Sequence, residues 1–338
     1  MFEKTQQYIQ QMYEQHIFPG AIYAFIAEGN IETHCLGRRS VMPKEEKMTL
    51  DTQFDLASLT KVVGTTTVIF QLLNEGKLAL NDDVKEYLPI SSNQLTIADL
   101  LLHRSDFQGY IPHRDQLPKQ ELCQALLTQM NPGGQVGKRV KYSDLNYIYL
   151  GWIAERICHS PIQRLIEDRV IQPLKMEETT FEPSAECCAP TENHAVRGLI
   201  RGKVHDPKAF RIGEQCGSAG LFSTIDDLIT FCQMYLNGGR TKEGNVVINQ
   251  DWLNQLAIPR TTIDQGQLRT YGWVIEPVAG HYALTHTGYT GTYLWIDLKW
   301  KRAFIFLSNR IHPIDDNPRY LKYRDQLIQV WKTEQSED

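Results

Sequence analysis

Residues 58–73 restrict the fold more than any other stretch. Ser58-Leu59-Thr60-Lys61 is followed by Val62, Val63, Val68, Ile69, Phe70, Leu72 and Leu73, which place apolar side chains on nearly every face of one helix. A helix apolar all round has to lie between layers, and Gly76 is a plausible stop. Ser58 then opens a buried helix, where backbone N–H groups are unpaired and the dipole favours negative charge. Lys61 falls one turn later on the same face. An oxyanion forming at Ser58 would be stabilised, and a lysine whose pKa burial has lowered can take the serine proton. Ser-x-x-Lys occurs once in the chain. Alone it is a weak signal, and a helix cap followed by a solvated lysine explains it equally well. Partners elsewhere must decide.

What encloses that helix comes from both ends of the chain. Residues 2–16 have helical periodicity and stop at Pro19-Gly20, and Ala21–Ala27 is a short apolar strand returning through Gly29-Asn30 as Ile31–Leu36. Near the other end, Thr224 caps a helix from Asp226 to Leu236, strands run over 271–276, 281–286, 292–297 and 303–309, and a helix from Pro318 reaches about Lys332. Between these halves, 95–102, 119–130 and 147–171 carry helical spacing, whereas the polar stretch after Phe181 reads as loop. The expected fold is α/β (α+β): an antiparallel sheet flanked by helices, built from 1–77 and 216–338, with a mostly helical inserted domain over 78–215 and the active site between them.

Composition narrows the function. A net charge of −5 over 338 residues gives no reason to expect nucleic acid or an anionic membrane surface, and no apolar run has the length of a membrane span. The polar N-terminus lacks a secretory signal, and the seven cysteines are odd in number without Cys-x-x-Cys pairing; both point to the cytoplasm and free thiols. His103, His205 and Asp206 tempt a metal assignment but lack ligand spacing, so neither metal nor other cofactor is expected. Gly-x-Ser-x-Gly and phosphate-loop motifs are absent. The expected partner is a small-molecule or peptide substrate; oligomeric state is left open.

Two further clusters complete a chemistry. Tyr142-Ser143-Asp144 precedes a helix, and His286-Thr287-Gly288 ends an apolar strand before Tyr289-Thr290-Gly291. Acyl transfer needs a nucleophile, a proton shuttle to the leaving group and donors for the oxyanion. Lys61 with the Tyr142 hydroxyl can shuttle the proton, Gly288 lets substrate backbone approach, and His286 can hold a substrate carboxylate or tune Tyr142.

In this order the clusters resemble the class C β-lactamase and low-molecular-weight penicillin-binding protein (DD-peptidase) superfamily of serine hydrolases, in its esterase-like branch. The resemblance runs over about residues 18–312. It includes Pro19-Gly20-Ala21, Leu95 to His103, Pro173-Leu174-Lys175-Met176, Val204-His205-Asp206-Pro207 and Ser218 to Thr224. It implies Ser58 as nucleophile, Lys61 as its activator and Tyr142 as general acid/base. The Ser58 and Tyr289 N–H groups would form the oxyanion hole, with His286, Thr287 and Gly288 along the substrate. Three residues depart from the family pattern: Asp144 stands for asparagine, His286 for the lysine of efficient lactamases, and Asp106 for a glycine. Asp144 offers no amide donor but can bind Lys61 or a cationic group, or cap its helix. A histidine is largely neutral near pH 7 and holds a carboxylate less firmly. The implied activity is acyl-enzyme hydrolysis of an ester or a D-amino-acid peptide or amide. A true β-lactamase and a non-catalytic penicillin-binding sensor or scaffold are the alternatives.

Overall fold

The computed structural model describes residues 2–91 and 94–337. Seven strands form one antiparallel sheet in the order Glu46–Lys47, Asn30–Ser40, Gly20–Ala27, Arg302–Ser308, Thr292–Asp297, His281–Gly288, Val274–Val278. The N-terminal strand and the last strand are therefore neighbours at the sheet centre, with Tyr23 opposite Phe306. Both faces of the sheet are covered. Ile22, Ala24, Ile26, Leu294, Ile296, Ile305 and Leu307 enter the larger core. Phe25, Tyr293, Trp295, Phe304 and Phe306 pack on the other side beneath the terminal helices Glu3–Glu14 and Tyr320–Glu337, around Trp331. Double burial explains why Gly20–Ala27 is a continuous apolar run rather than an alternating one. The two terminal helices are joined through Glu334, which accepts from Thr5 N at 2.9 Å and Thr5 Oγ1 at 2.6 Å.

The Ser58 stretch behaves as its composition requires. After a π-helical turn over Lys61–Thr65 the chain continues as an α-helix over Thr66–Asn74, and Val62, Val63, Val68, Ile69, Phe70 and Leu72 are fully buried. It packs among helices of the intervening segment, so the larger core is continuous from the sheet into residues 95–176.

Some sequence expectations are corrected. Residues 147–171 do not form one helical run. Asp144–Cys158 ends at His159 in the left-handed region (φ 54°), and helix resumes at Ile162 after Pro161, whose ring cannot continue the preceding turn. The 95–102 helix shrinks to Ile97–Leu101, closed by a Thr96/Asp99 capping box. The stretch after Phe181 is not all loop: it holds a strand pair, Asn193–His194 with Gly198–Leu199, and the helix Pro207–Ile212, capped by Asp206. Among the described residues, no helix is long and apolar enough to cross a membrane and no cluster of three or more ligating side chains suits a metal ion.

Candidate active site

Three loops converge on one cleft, and the hydrogen bonds that hold them are specific. Ser58 lies in a tight turn opened by Ala57 in the left-handed region (φ 46°), a strained position for a residue with a Cβ. Asp55, buried, anchors that turn by accepting from Ala57 N at 2.8 Å and from His205 N at 2.7 Å. The end of strand His281–Gly288 is stitched to it: Thr290 Oγ1 donates to Asp55 O at 2.6 Å and Thr292 Oγ1 to Leu56 O at 3.1 Å. A Cβ at Gly288 would meet Thr292 Oγ1 at 2.0 Å and Leu56 O at 2.5 Å, so only glycine permits this approach. Neither the Ser58 nor the Tyr289 amide N–H has a partner among the described residues.

Lys61 is completely buried. Its ammonium reaches Ser58 Oγ at 2.9 Å, Ser218 O at 2.8 Å and Asp144 Oδ1 at 2.8 Å, which takes up its three N–H donors, and Tyr142 lies close enough to interact with it electrostatically. Burial alone would push its pKa down, but the Asp144 carboxylate and then Tyr142 override it, so Lys61 sits well above the ordinary lysine value. Burial was expected to leave Lys61 uncharged and able to take the serine proton; the Asp144 carboxylate instead favours the charged form, which donates to Ser58. Asp144 mirrors it. Burial would raise its pKa, and Lys61 and then Lys208 hold it well below the ordinary carboxylate range.

The cap question at Asp144 also resolves. Ser143 is the N-cap, its side chain accepting from Leu145 N at 3.3 Å, and Asp144 is the first helical residue. That frees both carboxylate oxygens for lysines: Oδ1 for Lys61, and Oδ2 for Lys208 at 3.0 Å. Lys208 in turn pairs with Asp206 at 2.9 Å. A row of alternating charges thus runs from Lys61 to Asp206.

Tyr142 stands at the cleft mouth, 47% exposed. Its ring lies on His103 with centroids 4.4 Å apart, and Lys61 Nζ is 5.3 Å from its centroid. His103 is fixed as a shelf: Nδ1 accepts from Ser143 N at 3.3 Å and from Asn146 Nδ2 at 3.0 Å. His286, on the facing strand, has its ring 6.3 Å from that of Tyr142, and its Nδ1 donates to Thr287 O at 3.0 Å. Burial, then Arg269, then Lys61 push both histidines well below the usual imidazole value. His286 is therefore neutral with a lone pair on Nε2, and offers no cation to a substrate carboxylate.

The cation on that side is one the sequence reading missed. Arg269 is 1% exposed, yet it lines the same cavity of about 730 Å³ as Ser58, Tyr142, His286, Thr287 and Tyr289. It donates to Gln267 Oε1 at 2.9 Å and Gly272 O at 3.4 Å, its Nε has no partner, and no carboxylate pairs with it among the described residues. Lys208 and Ser218 were likewise missed. His205 and Asp206, set aside as metal ligands, instead build the site: His205 stacks on Tyr289 at 5.6 Å and Asp206 holds Lys208. Asp106 adopts φ 50°, the conformation a glycine would favour, and its carboxylate accepts from Gln108 Nε2 at 2.7 Å and Gln135 N at 3.1 Å.

The beta-lactamase family model matches residues 5–328. The chain belongs to the beta-lactamase family. It is 28% identical over 361 aligned positions to an N-acetylmuramyl-L-alanine amidase of Bacillus subtilis (strain 168), covering 91% of this chain and 82% of that protein. A Salmonella typhimurium (strain LT2) protein named "Putative D-alanyl-D-alanine carboxypeptidase" is 31% identical over 324 positions, covering 81% and 73%. Among solved structures, a class C beta-lactamase superposes with a TM-score of 0.77 at 18% identity, covering 97% of this chain and 95% of that one. EstCE1, a hydrolase with promiscuous acyltransferase activity, gives 0.78 at 17% identity, covering 97% of each. The structural likeness shows a shared β-lactamase/transpeptidase fold, and the sequence relatives make this a hydrolase family related to carboxypeptidases and amidases.

Proposed function

We propose that this chain is a serine hydrolase that forms an acyl-enzyme at Ser58 and cleaves the amide bond of a D-amino-acid peptide ending in a free carboxylate. The observation that carries the reading is the set of bonds around Lys61. With its protons committed to Ser58 Oγ, Ser218 O and Asp144 Oδ1, the ammonium holds the serine oxygen in place and leaves the Ser58 proton free to pass to Tyr142. Tyr142 acts as a relay: its oxygen accepts that proton while its own hydroxyl proton moves on to the nitrogen of the scissile amide, so no net charge builds on the tyrosine. As Oγ attacks the scissile carbonyl, its oxygen becomes an oxyanion received by the Ser58 and Tyr289 N–H groups. The C–N bond then breaks, and the amine leaves with the proton that Tyr142 delivered. Water repeats the sequence in the opposite sense and frees Ser58.

Arg269 supports the choice of substrate. A buried guanidinium without a carboxylate is unfavourable unless a ligand completes it, and a terminal carboxylate would do so. The name of the Salmonella relative agrees with such a substrate. With His286 neutral, its position offers no cation to a β-lactam carboxylate, and Arg310 and Arg324, which line the same cavity, are paired with Asp315 and Asp325.

The test is D-alanine release from an N-acylated peptide ending in D-Ala-D-Ala. Release that disappears in Ser58→Ala supports the proposal. No release, together with no covalent labelling by a fluorophosphonate, would leave the scaffold reading. Nitrocefin turnover faster than D-alanine release would mark a β-lactamase.

A further inference from the structure

Tyr142 divides the cleft. Beyond it, away from Ser58, lies a second lobe of about 670 Å³, lined by Ile111, Leu145 and Ile148 and by the polar Asp144 and Lys208. Lys208 is held rigidly there. It follows Pro207 in the short helix that Asp206 caps through Ala209 N at 2.8 Å. Its side chain is only 13% exposed, and its ammonium contacts Asp144 Oδ2 at 3.0 Å and Asp206 Oδ2 at 2.9 Å. An ammonium has three N–H donors; among the described residues two have acceptors and the third has none. Asp144 contributes no donor, because an ionised carboxylate only accepts and both its oxygens face lysines. That third N–H faces the lobe and is the one available to an oxygen that arrives with the substrate, a bond strengthened by the donor's charge.

The direction of the substrate says which oxygen. If its carboxylate end is drawn to Arg269 in the Ser58 lobe, the rest of the molecule has to leave Ser58 the other way, past Tyr142 and into this lobe. We infer that Lys208 is a specificity-determining residue that donates a hydrogen bond to a carbonyl oxygen on the acyl side of the substrate, so that the enzyme prefers N-acylated amino-acid (peptidyl) donors to simple acyl groups. This rests on the Ser58 acyl-enzyme reading and deepens it by naming the acyl class. The apolar side chains of the lobe suit the body of such a group.

The test compares two p-nitrophenyl esters of matched length, one N-acetylglycyl and one pentanoyl, so that only the first carries an acyl-side amide carbonyl. The readout is the ratio of their kcat/KM values. In the wild type this ratio favours the N-acetylglycyl ester. In Lys208→Met it falls by about tenfold or more, the size of one hydrogen bond to a charged donor. Lys208→Gln, which keeps an N–H donor, recovers part of it and covers the case in which the methionine variant fails to fold. If both esters slow by the same factor, Lys208 acts only by anchoring Asp144 and the inference is wrong; an unchanged ratio overturns it equally. Fluorophosphonate labelling of Ser58 in the wild type is read alongside. Absent labelling sinks the acyl-enzyme reading itself, whereas labelling with an unmoved ratio sinks only the role of Lys208.

Discussion

Around Ser58 every charge has a partner. Lys61, Asp144, Lys208 and Asp206 alternate in sign and are linked at 2.8, 3.0 and 2.9 Å. Around Arg269, across the same cleft, partners are missing: Arg269 Nε, His286 Nε2 and His103 Nε2 are all buried without one. Each region has a cost. Taking an ion pair out of water is expensive even when the pair is good, and a buried lone guanidinium is worse. The paired row is fixed in place before substrate arrives, which suits groups that must react in one geometry. The unpaired wall is completed by substrate, which suits recognition. One cation serves both roles at a distance, since Arg269 also helps keep His103 and His286 neutral.

Breaking the paired row should have the largest effect. In Lys61→Met, Ser58 loses its donor and Asp144 keeps only Lys208 of its two lysine partners; acylation, measured by the burst of p-nitrophenol from an activated ester, should fall by at least about 10³. Tyr142→Phe removes only the hydroxyl of a half-exposed ring, so the same burst should slow by about 10² to 10³ while the melting temperature stays within a few degrees. On the unpaired wall, Arg269→Met should raise KM for the carboxylate-terminated peptide by about 10 to 100-fold, the worth of a hydrogen bond to a charged group. It should leave fluorophosphonate labelling in place and should not lower stability, because a lone buried charge has been removed. Equal losses for charged and neutral substrates would erase the distinction between the two walls.

The smallest effect concerns pH. The His286 pKa is depressed from its ordinary 6.5, by burial first and Arg269 next. As pH falls below 6.5, the unfolded chain takes up the proton and the folded one does not, so the contribution to stability present above that value is progressively lost. The slope is at most about 1.4 kcal/mol per pH unit. His286→Asn lacks it. The stability advantage of the wild type over this variant, from urea melts, should therefore shrink from about pH 7 to about pH 5; a constant difference would show that His286 protonates freely in the fold.

How much of this was legible in the sequence depended on how local each signal was. The buried helix after Ser58, the strands from both chain ends and the Thr224 cap follow from neighbouring residues, and the structure shows them. Ser58 and Lys61 are one turn apart, so their contact was readable. The proton state of Lys61 was not, because Asp144 reaches it from another segment and Lys208 sets Asp144 from a third. Arg269 was missed because it lies in a polar stretch, Gln267 to Thr270, ahead of a strand, where an exposed arginine is the ordinary reading and its burial without a carboxylate partner shows only in three dimensions. Lys208 directly follows the recognised segment Val204-His205-Asp206-Pro207, yet the helix that Pro207 starts was hidden in a stretch that reads as loop. Pro161 was the available signal for the break that the periodicity of 147–171 concealed.

The central claim is that Ser58 becomes covalently acylated in a cleft whose lysine is already charged. Intact-protein mass spectrometry of the chain quenched during turnover of the D-Ala-D-Ala peptide, followed by peptide mapping, tests it directly. The account predicts an added mass equal to the peptide acyl group, located on Ser58 and absent from Ser58→Ala. An adduct on another residue, or undiminished D-alanine release by Ser58→Ala, would contradict it.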